Sequence, residues 1–249
     1  MNAKLIFKME IYKFLNDKKY LIIAGVLALL NTVLTIQALD SISSYSYYYG
    51  NTYYFEGIGS LLGLTYIFTF VFLFVYPFHV LAQDYKNNVL ALMMASGVNR
   101  TKLYFSKIGA AILCSFGLVI VVALIPSILV GLKMGNLNVI GDIISGISSV
   151  FGYLGVNSGL VLINMLISYL VMIVIINAAV IFSKGSSKSV LFYFGFMMAL
   201  GVFRNVMNPI VNIYQYDING NLLYGMVMNI VILVFFGWLS LRQMNHQNL

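Results

Sequence analysis

Apolar residues fill six stretches of this chain with little interruption, at 20–39, 60–80, 107–130, 160–182, 190–204 and 222–241. About 20 apolar helical residues cross the roughly 30 Å of hydrocarbon in a bilayer, and a helix satisfies its own backbone hydrogen bonds where water is excluded. The pattern therefore predicts six transmembrane helices, of which 190–204 is the shortest. Shorter amphipathic elements lie between and before them. Residues 1–19 carry two apolar stripes, Leu5/Met9/Tyr12 and Phe7/Ile11/Phe14, separated by lysines. That arrangement fits a helix lying in the cytoplasmic interface with snorkelling lysines, or an irregular basic anchor. At 138–154, Ile140, Ile143, Ile144, Ile147, Val150, Phe151 and Leu154 recur at helical spacing opposite Gly, Ser and Asp142. This predicts a short helix on the outer membrane surface, ended by Gly152, Gly155 and Asn157. Residues 87–96 predict a further short helix, with Val89, Leu90 and Met93 on one face and Ala91 and Ala95 opposite.

Composition turns this pattern into a fold class. Hydrophobic residues make up 61% of the 249 and charged residues 8%, against roughly 25% charged in soluble proteins. The chain reads as an all-α integral membrane protein in one six-span domain. The basic residues set its orientation, since Lys and Arg collect on the cytoplasmic side of short connections. Lys4, Lys8, Lys13, Lys18 and Lys19 precede the first span, 40–59 has no basic residue, and Lys86, Arg100, Lys102 and Lys107 surround the second connection. Lys133, then Lys184 with Lys188, then Arg204, then Arg242 continue the alternation, which leaves twelve of the 14 on one side. Both termini are expected in the cytoplasm. The net charge of +7 is explained by anionic headgroups beside these membrane ends and calls for no nucleic acid. About nineteen mixed residues before a full-length span do not read as a cleaved signal peptide. Cys114, the one cysteine, lies inside the third span as a small apolar packing residue.

Catalytic chemistry has little to build on. Intramembrane carboxylates, lysines or histidines usually mark a proton relay or an ion-coupled site, and the spans hold almost none. Arg204 stands at an outer end and His79 near an inner end beside Pro77, while Asn31, Asn164 and Asn177 are amides of the kind that join helices by hydrogen bonds. The two histidines, His79 and His246, are too far apart for an H-E-x-x-H zinc motif, and Gly185–Ser189, GSSKS, lacks the spacing of a phosphate-binding loop. The chain is therefore expected not to be an enzyme, to bind no metal or cofactor, and to draw any energy for transport from another polypeptide. In the first outer loop Tyr45, Tyr47, Tyr48, Tyr49, Tyr53, Tyr54 and Phe55 crowd together. They form either an aromatic belt at the headgroups or an exit surface for amphipathic cargo.

The second connection, AQDYKNNVLALMMASGVNRTKLYFSKI at 82–108, is the largest internal basic loop. Methionines such as Met93 and Met94 suit a surface that repacks against a partner. Gly97 can end the short helix, and Asn99 is placed to cap the next. On these residues the chain resembles the ABC-2 type family of transporter permease subunits, which have six spans, a basic interfacial helix before the first, and an acidic residue soon after the second. Asp84 stands in the acidic place, Val89 and Leu90 at the apolar pair, Ser96 and Gly97 at the turn, and Asn99-Arg100 at a Ser-Arg position. Lys107 matches a lysine entering the third span, while Asn88 and Gly97 replace the usual Gly and Pro. The resemblance implies that 87–96 is a coupling helix docking on a separate ATP-binding cassette subunit, with Asp84, Asn88, Val89, Leu90, Met93, Met94, Arg100 and Lys107 at that interface. Asp84 and Arg100 would hold the loop or touch the partner.

The same resemblance implies two permeases and two ATPases per complex, ATP and magnesium bound by the ATPase chains, and a place in a bacterial cytoplasmic membrane. The small size and short outer loops look most like permeases of bacteriocin or lantibiotic immunity and of amphipathic peptide toxin export, phenol-soluble modulins included. Closure of the ATPase dimer would tilt spans one, two and five against the second permease. The alternative is a stand-alone immunity or sensor protein without ATP coupling. A secondary transporter is disfavoured by the missing midspan charges and paired repeats.

Overall fold

The computed structural model describes residues 3–45, 69, 71–87, 89–134, 152, 155–210 and 218–246. Among these residues every regular element is a helix. In chain order they are α1 (Ala3–Leu15), α2 (Lys18–Tyr45), α3 (71–86), α4 (Val89–Ala95), α5 (Arg100–Met134), α6 (Ser158–Phe182), α7 (Ser189–Ile210) and α8 (Ile218–His246). Three described segments are long and apolar enough to cross a membrane: Ser158–Phe182, Ser189–Met207 and Ile218–His246. Apart from Gly152, the outer surface helix expected at 138–154 lies outside the described residues, as do Asn88, Tyr47, Tyr48, Tyr49, Tyr53, Tyr54 and Phe55 and the side chain of Tyr45.

Several boundaries differ from the hydropathy pattern for local reasons. The N-terminal helix stops at Leu15, and a new helix starts at Lys18, where Leu21 N donates to Asp17 O at 3.2 Å. α7 continues past Arg204 to Ile210. A lone arginine interrupts an apolar pattern but need not end a helix, and here its guanidinium donates to the Asn229 side chain on α8.

The chain divides into two compact units. The first draws on the described parts of Met1–Tyr12, Pro77–Ile112 and Gly146–Leu249. Its centre is α6, which packs chiefly on α8 and less extensively on α7. Residues Val171, Met172, Ile173, Val174, Ile175, Ile176, Asn177, Ala178, Ala179, Val180 and Ile181 form an unbroken buried run. Along this stretch, apolar but for Asn177, the whole circumference of the helix is covered. Phe196 on α7 meets Phe182 at 5.7 Å and Phe236 at 5.2 Å between ring centroids, both edge to face, which ties the three helices at one level. The outward side of α7 is apolar and exposed at Leu191, Phe194, Met198, Val202 and Val206, as expected of a surface that meets lipid.

The second unit comprises Lys13–Tyr76 and the described part of Leu113–Ser145. Tyr76 organises it. Its ring stacks on Phe72 at 5.6 Å, tilts against Tyr20 at 5.0 Å and meets Phe14 edge-on at 5.7 Å. Its hydroxyl donates to Phe14 O at 2.8 Å, one of the last-turn carbonyls of α1 that have no partner within the helix. Tyr76→Phe keeps the ring and removes this donor, so it is expected to cost about 1–3 kcal/mol. The check is the thermal midpoint of the purified protein in detergent, and an unchanged midpoint would mean that the bond contributes nothing.

Candidate functional site

The connection between α3 and α5 is built from two local signals. Gly97 adopts φ +77°, and around it Val98 N donates to Met93 O at 3.2 Å while Gly97 N donates to Met94 O at 3.1 Å. This is the paired bonding of a Schellman motif, in which a left-handed glycine lets the last carbonyls of α4 find partners. Val98 follows as a buried apolar residue. Asn99 Oδ1 then accepts from Thr101 N at 3.0 Å and Lys102 N at 3.2 Å, capping the first turn of α5. One helix is stopped and the next started within a few residues, so α4 is held as a short projecting turn.

Beneath it lies a buried ionic cluster. Lys107 on α5 forms ion pairs with Asp84 on α3 and, at 3.6 Å, with Glu10 Oε1 on α1. Lys107 is 5% exposed, Asp84 1% and Glu10 2%. A lysine shared by two buried carboxylates joins three helices that are far apart in sequence, at a desolvation cost that only close pairing offsets. Arg100 brings in a fourth helix: its guanidinium donates to Met244 O at 2.9 Å and Asn245 O at 2.7 Å. These carbonyls close α8, where a cation satisfies unpaired acceptors and complements the helix dipole.

Of the residues placed at a docking face by the sequence, Asp84, Leu90 and Lys107 are buried and brace the loop from within. Leu90, 2% exposed, lines a cavity large enough for about one water together with Tyr85, Tyr104, Lys107, Asn177 and Met244. Burial also holds the Tyr85 phenol above its ordinary pKa. The Tyr104 hydroxyl lies near Ser240 and Asn177 without reaching hydrogen-bond geometry to either. Val89, Met93 and Met94 are half-buried. The side chain that α4 turns outward is Leu92, 69% exposed, with Ala95 and Ser96 beside it.

Sequence reasoning missed Leu92 because a three-residue stripe was assigned on a helix too short to show its period. It also missed Glu10. The buried face of α1 is Ile6/Glu10/Phe14, while Leu5, Met9 and Tyr12 are exposed. A stripe with a glutamate at its centre does not score as apolar, and its ion-pair partner Lys107 lies on a helix far along the chain.

A second polar constellation lies toward the other end of the same unit. Asn229 Oδ1 accepts from Arg204, and Asn229 Nδ2 donates to Ser168 Oγ at 2.9 Å and Asn164 Oδ1 at 3.3 Å. One buried amide thus links α6, α7 and α8. Asn157 caps α6 through Gly159 N at 2.9 Å and Leu160 N at 3.3 Å, and its own N–H donates to Asn219 Oδ1 at 3.0 Å. Asn219 Nδ2 returns a bond to Gly155 O at 3.1 Å. These bonds fasten helices and present no nucleophile or acid–base pair. Among the described residues no group of three His, Cys, Asp or Glu side chains is arranged to hold a metal. In comparisons with known proteins, no family model, no curated protein and no solved structure matches the chain.

Proposed function

We propose that this chain is the membrane-spanning permease subunit of an ATP-binding cassette exporter of the ABC-2 type. In this reading six helices cross a bacterial cytoplasmic membrane: α2, the segment 60–80 that leads into α3, α5, α6, α7 and α8. α1 lies at the cytoplasmic surface and both termini are cytoplasmic. α4 is the coupling helix, and the chain works with a second permease and with two ATPase subunits that bind ATP and magnesium. The cargo is hydrophobic or amphipathic, with peptides such as bacteriocins or peptide toxins favoured by a charge-poor bundle rich in aromatic residues and methionine.

The observation that carries this reading is the construction of α4. A short helix on the lysine-rich side of the chain offers an exposed leucine while its base is fixed to α1, α3, α5 and α8 through Glu10, Asp84, Lys107 and Arg100. A force applied to Leu92 would pass directly to those helices, which is what a non-hydrolysing subunit needs if its energy comes from a neighbour.

The test is to co-express the chain with cassette ATPases of its own organism, purify through a tag on this chain, and measure ATPase activity with and without amphipathic peptides. A stable complex with peptide-stimulated hydrolysis supports the permease reading. Failure to associate with any cassette ATPase would replace it with a stand-alone immunity or sensor protein. Within the complex, Leu92→Glu is expected to reduce copurification and stimulated hydrolysis on the order of tenfold, the scale of a well-packed apolar contact in an interface, with membrane insertion unchanged. Wild-type coupling in this variant would remove α4 from the interface.

A further inference from the structure

An open groove of about 410 Å³ runs between α1 and the first turns of α5, lined by Lys4, Phe7, Thr101, Lys102, Phe105 and Ser106. Its walls are fixed in place. Phe7 lies so close to α5 that a Cβ on Gly109 would stand 3.2 Å from Phe7 Cε2, and the Glu10–Lys107 pair joins the same two helices at 3.6 Å. Each wall repeats one motif, a lysine followed three residues later by a phenylalanine: Lys4 and Phe7 on α1, Lys102 and Phe105 on α5. At that spacing the two side chains share a helix face, so each wall presents a cation one turn before a phenyl ring. No acidic residue lines the groove, and Phe105 is 61% exposed.

We propose that this groove binds an anionic phospholipid from the leaflet in which α1 lies. The two lysines supply the attraction for the headgroup phosphate, and Phe7 and Phe105 meet the glycerol and the upper acyl chain. A free phosphate would use only the lysines, and a zwitterionic lipid would bring a second cation to a site without a carboxylate. The inference requires the chain to be membrane-bound and is independent of the export reading, because it uses no residue of the outward face of α4 and no ATPase.

The experiment is native mass spectrometry of the full chain released from nanodiscs of equimolar phosphatidylglycerol and phosphatidylcholine. Wild type is expected to retain phosphatidylglycerol selectively. The double variant Lys4→Gln/Lys102→Gln should lose that retention on the order of tenfold. Phe105→Ala, which keeps both charges, should lower it as well, and inorganic phosphate should not displace the lipid. Lys8→Gln, which alters an exposed lysine of α1 outside the lining, should leave retention at the wild-type level. The proposal is overturned if the double lysine variant or Phe105→Ala retains phosphatidylglycerol like wild type. It is equally overturned if Lys8→Gln loses as much as the double variant, which would show diffuse attraction, or if phosphate competes, which would show a headgroup site without the lipid.

Discussion

Replacing Lys107 with methionine is expected to cost roughly 3–5 kcal/mol, the range for removing one member of a buried ion pair, and to leave little folded protein. Methionine preserves the unbranched length of the side chain, so the loss is electrostatic. Asp84 and Glu10, 1% and 2% exposed, would both lose the cation they share at Lys107. Two carboxylates in a low-dielectric site cannot both remain ionised cheaply. The control is the triple variant Lys107→Met/Asp84→Asn/Glu10→Gln. It removes all three charges and keeps the shapes, so no uncompensated buried charge is left, which is the costly part of breaking such a pair. Thermal midpoints from fluorescence-detected size-exclusion profiles should therefore run wild type, triple variant, then Lys107→Met, with the last far below the others. A Lys107→Met protein as stable as wild type would show that the cluster does not hold the three helices together.

The triple variant also separates stability from function. In the proposed complex the cluster is the path from α4 into the helices, so a protein that folds without charges but couples poorly would assign the ion pairs to force transmission as well as to folding.

What could be read in the sequence follows from how far each residue lies from its partner. Gly97 and Asn99 were legible because a Schellman turn and an N-cap are closed by backbone groups within a few residues. The apolar stretches at 160–182 and 222–241 were legible because hydropathy sums over a window, and α6 and α8 occupy them. Glu10 was not, since its burial depends on Lys107, which stands on another helix far along the chain. Asn229 was hidden for the same reason: it resembles any other amide in an apolar run until Arg204, Ser168 and Asn164 are brought around it. The exposed position of Leu92 was also beyond a seven-residue pattern, because two turns of helix allow several assignments of the inward face and only packing against Tyr104, Asn177 and Met244 chooses Leu90.

The resemblance in the loop pointed to Asp84, Arg100 and Lys107 without distinguishing bracing residues from contact residues. Burial places Asp84 and Lys107 inside the protein and leaves Arg100 half-buried.

Gly185→Ala is the other substitution with a large expected effect, and Lys184 beside it provides an internal comparison. The turn after α6 closes as a Schellman motif, with Gly185 N donating to Val180 O at 2.9 Å and Lys184 N to Ile181 O at 3.2 Å. Both residues have positive φ, +52° at Lys184 and +69° at Gly185. A left-handed backbone costs an L-residue about 1–2 kcal/mol, which Lys184 already bears and an alanine at 185 would add. The larger obstacle at 185 is space. A new Cβ would overlap the Cβ of Tyr85 and stand 2.9 Å from Ala82 O, and neither neighbour is the free end of a flexible side chain. Overpacking of this kind costs about 1–3 kcal/mol more, because α3 must move off the turn. Gly185→Ala is thus expected to lower the thermal midpoint sharply and to loosen Asp84, which sits on α3 beside Tyr85. Lys184→Gly, which relieves strain but frees the unfolded chain, should stay within about 1 kcal/mol of wild type. The two midpoints, measured side by side with wild type in one detergent, decide the matter: if Gly185→Ala melts with Lys184→Gly, α3 does not rest on this turn and the support assigned to Asp84 fails with it.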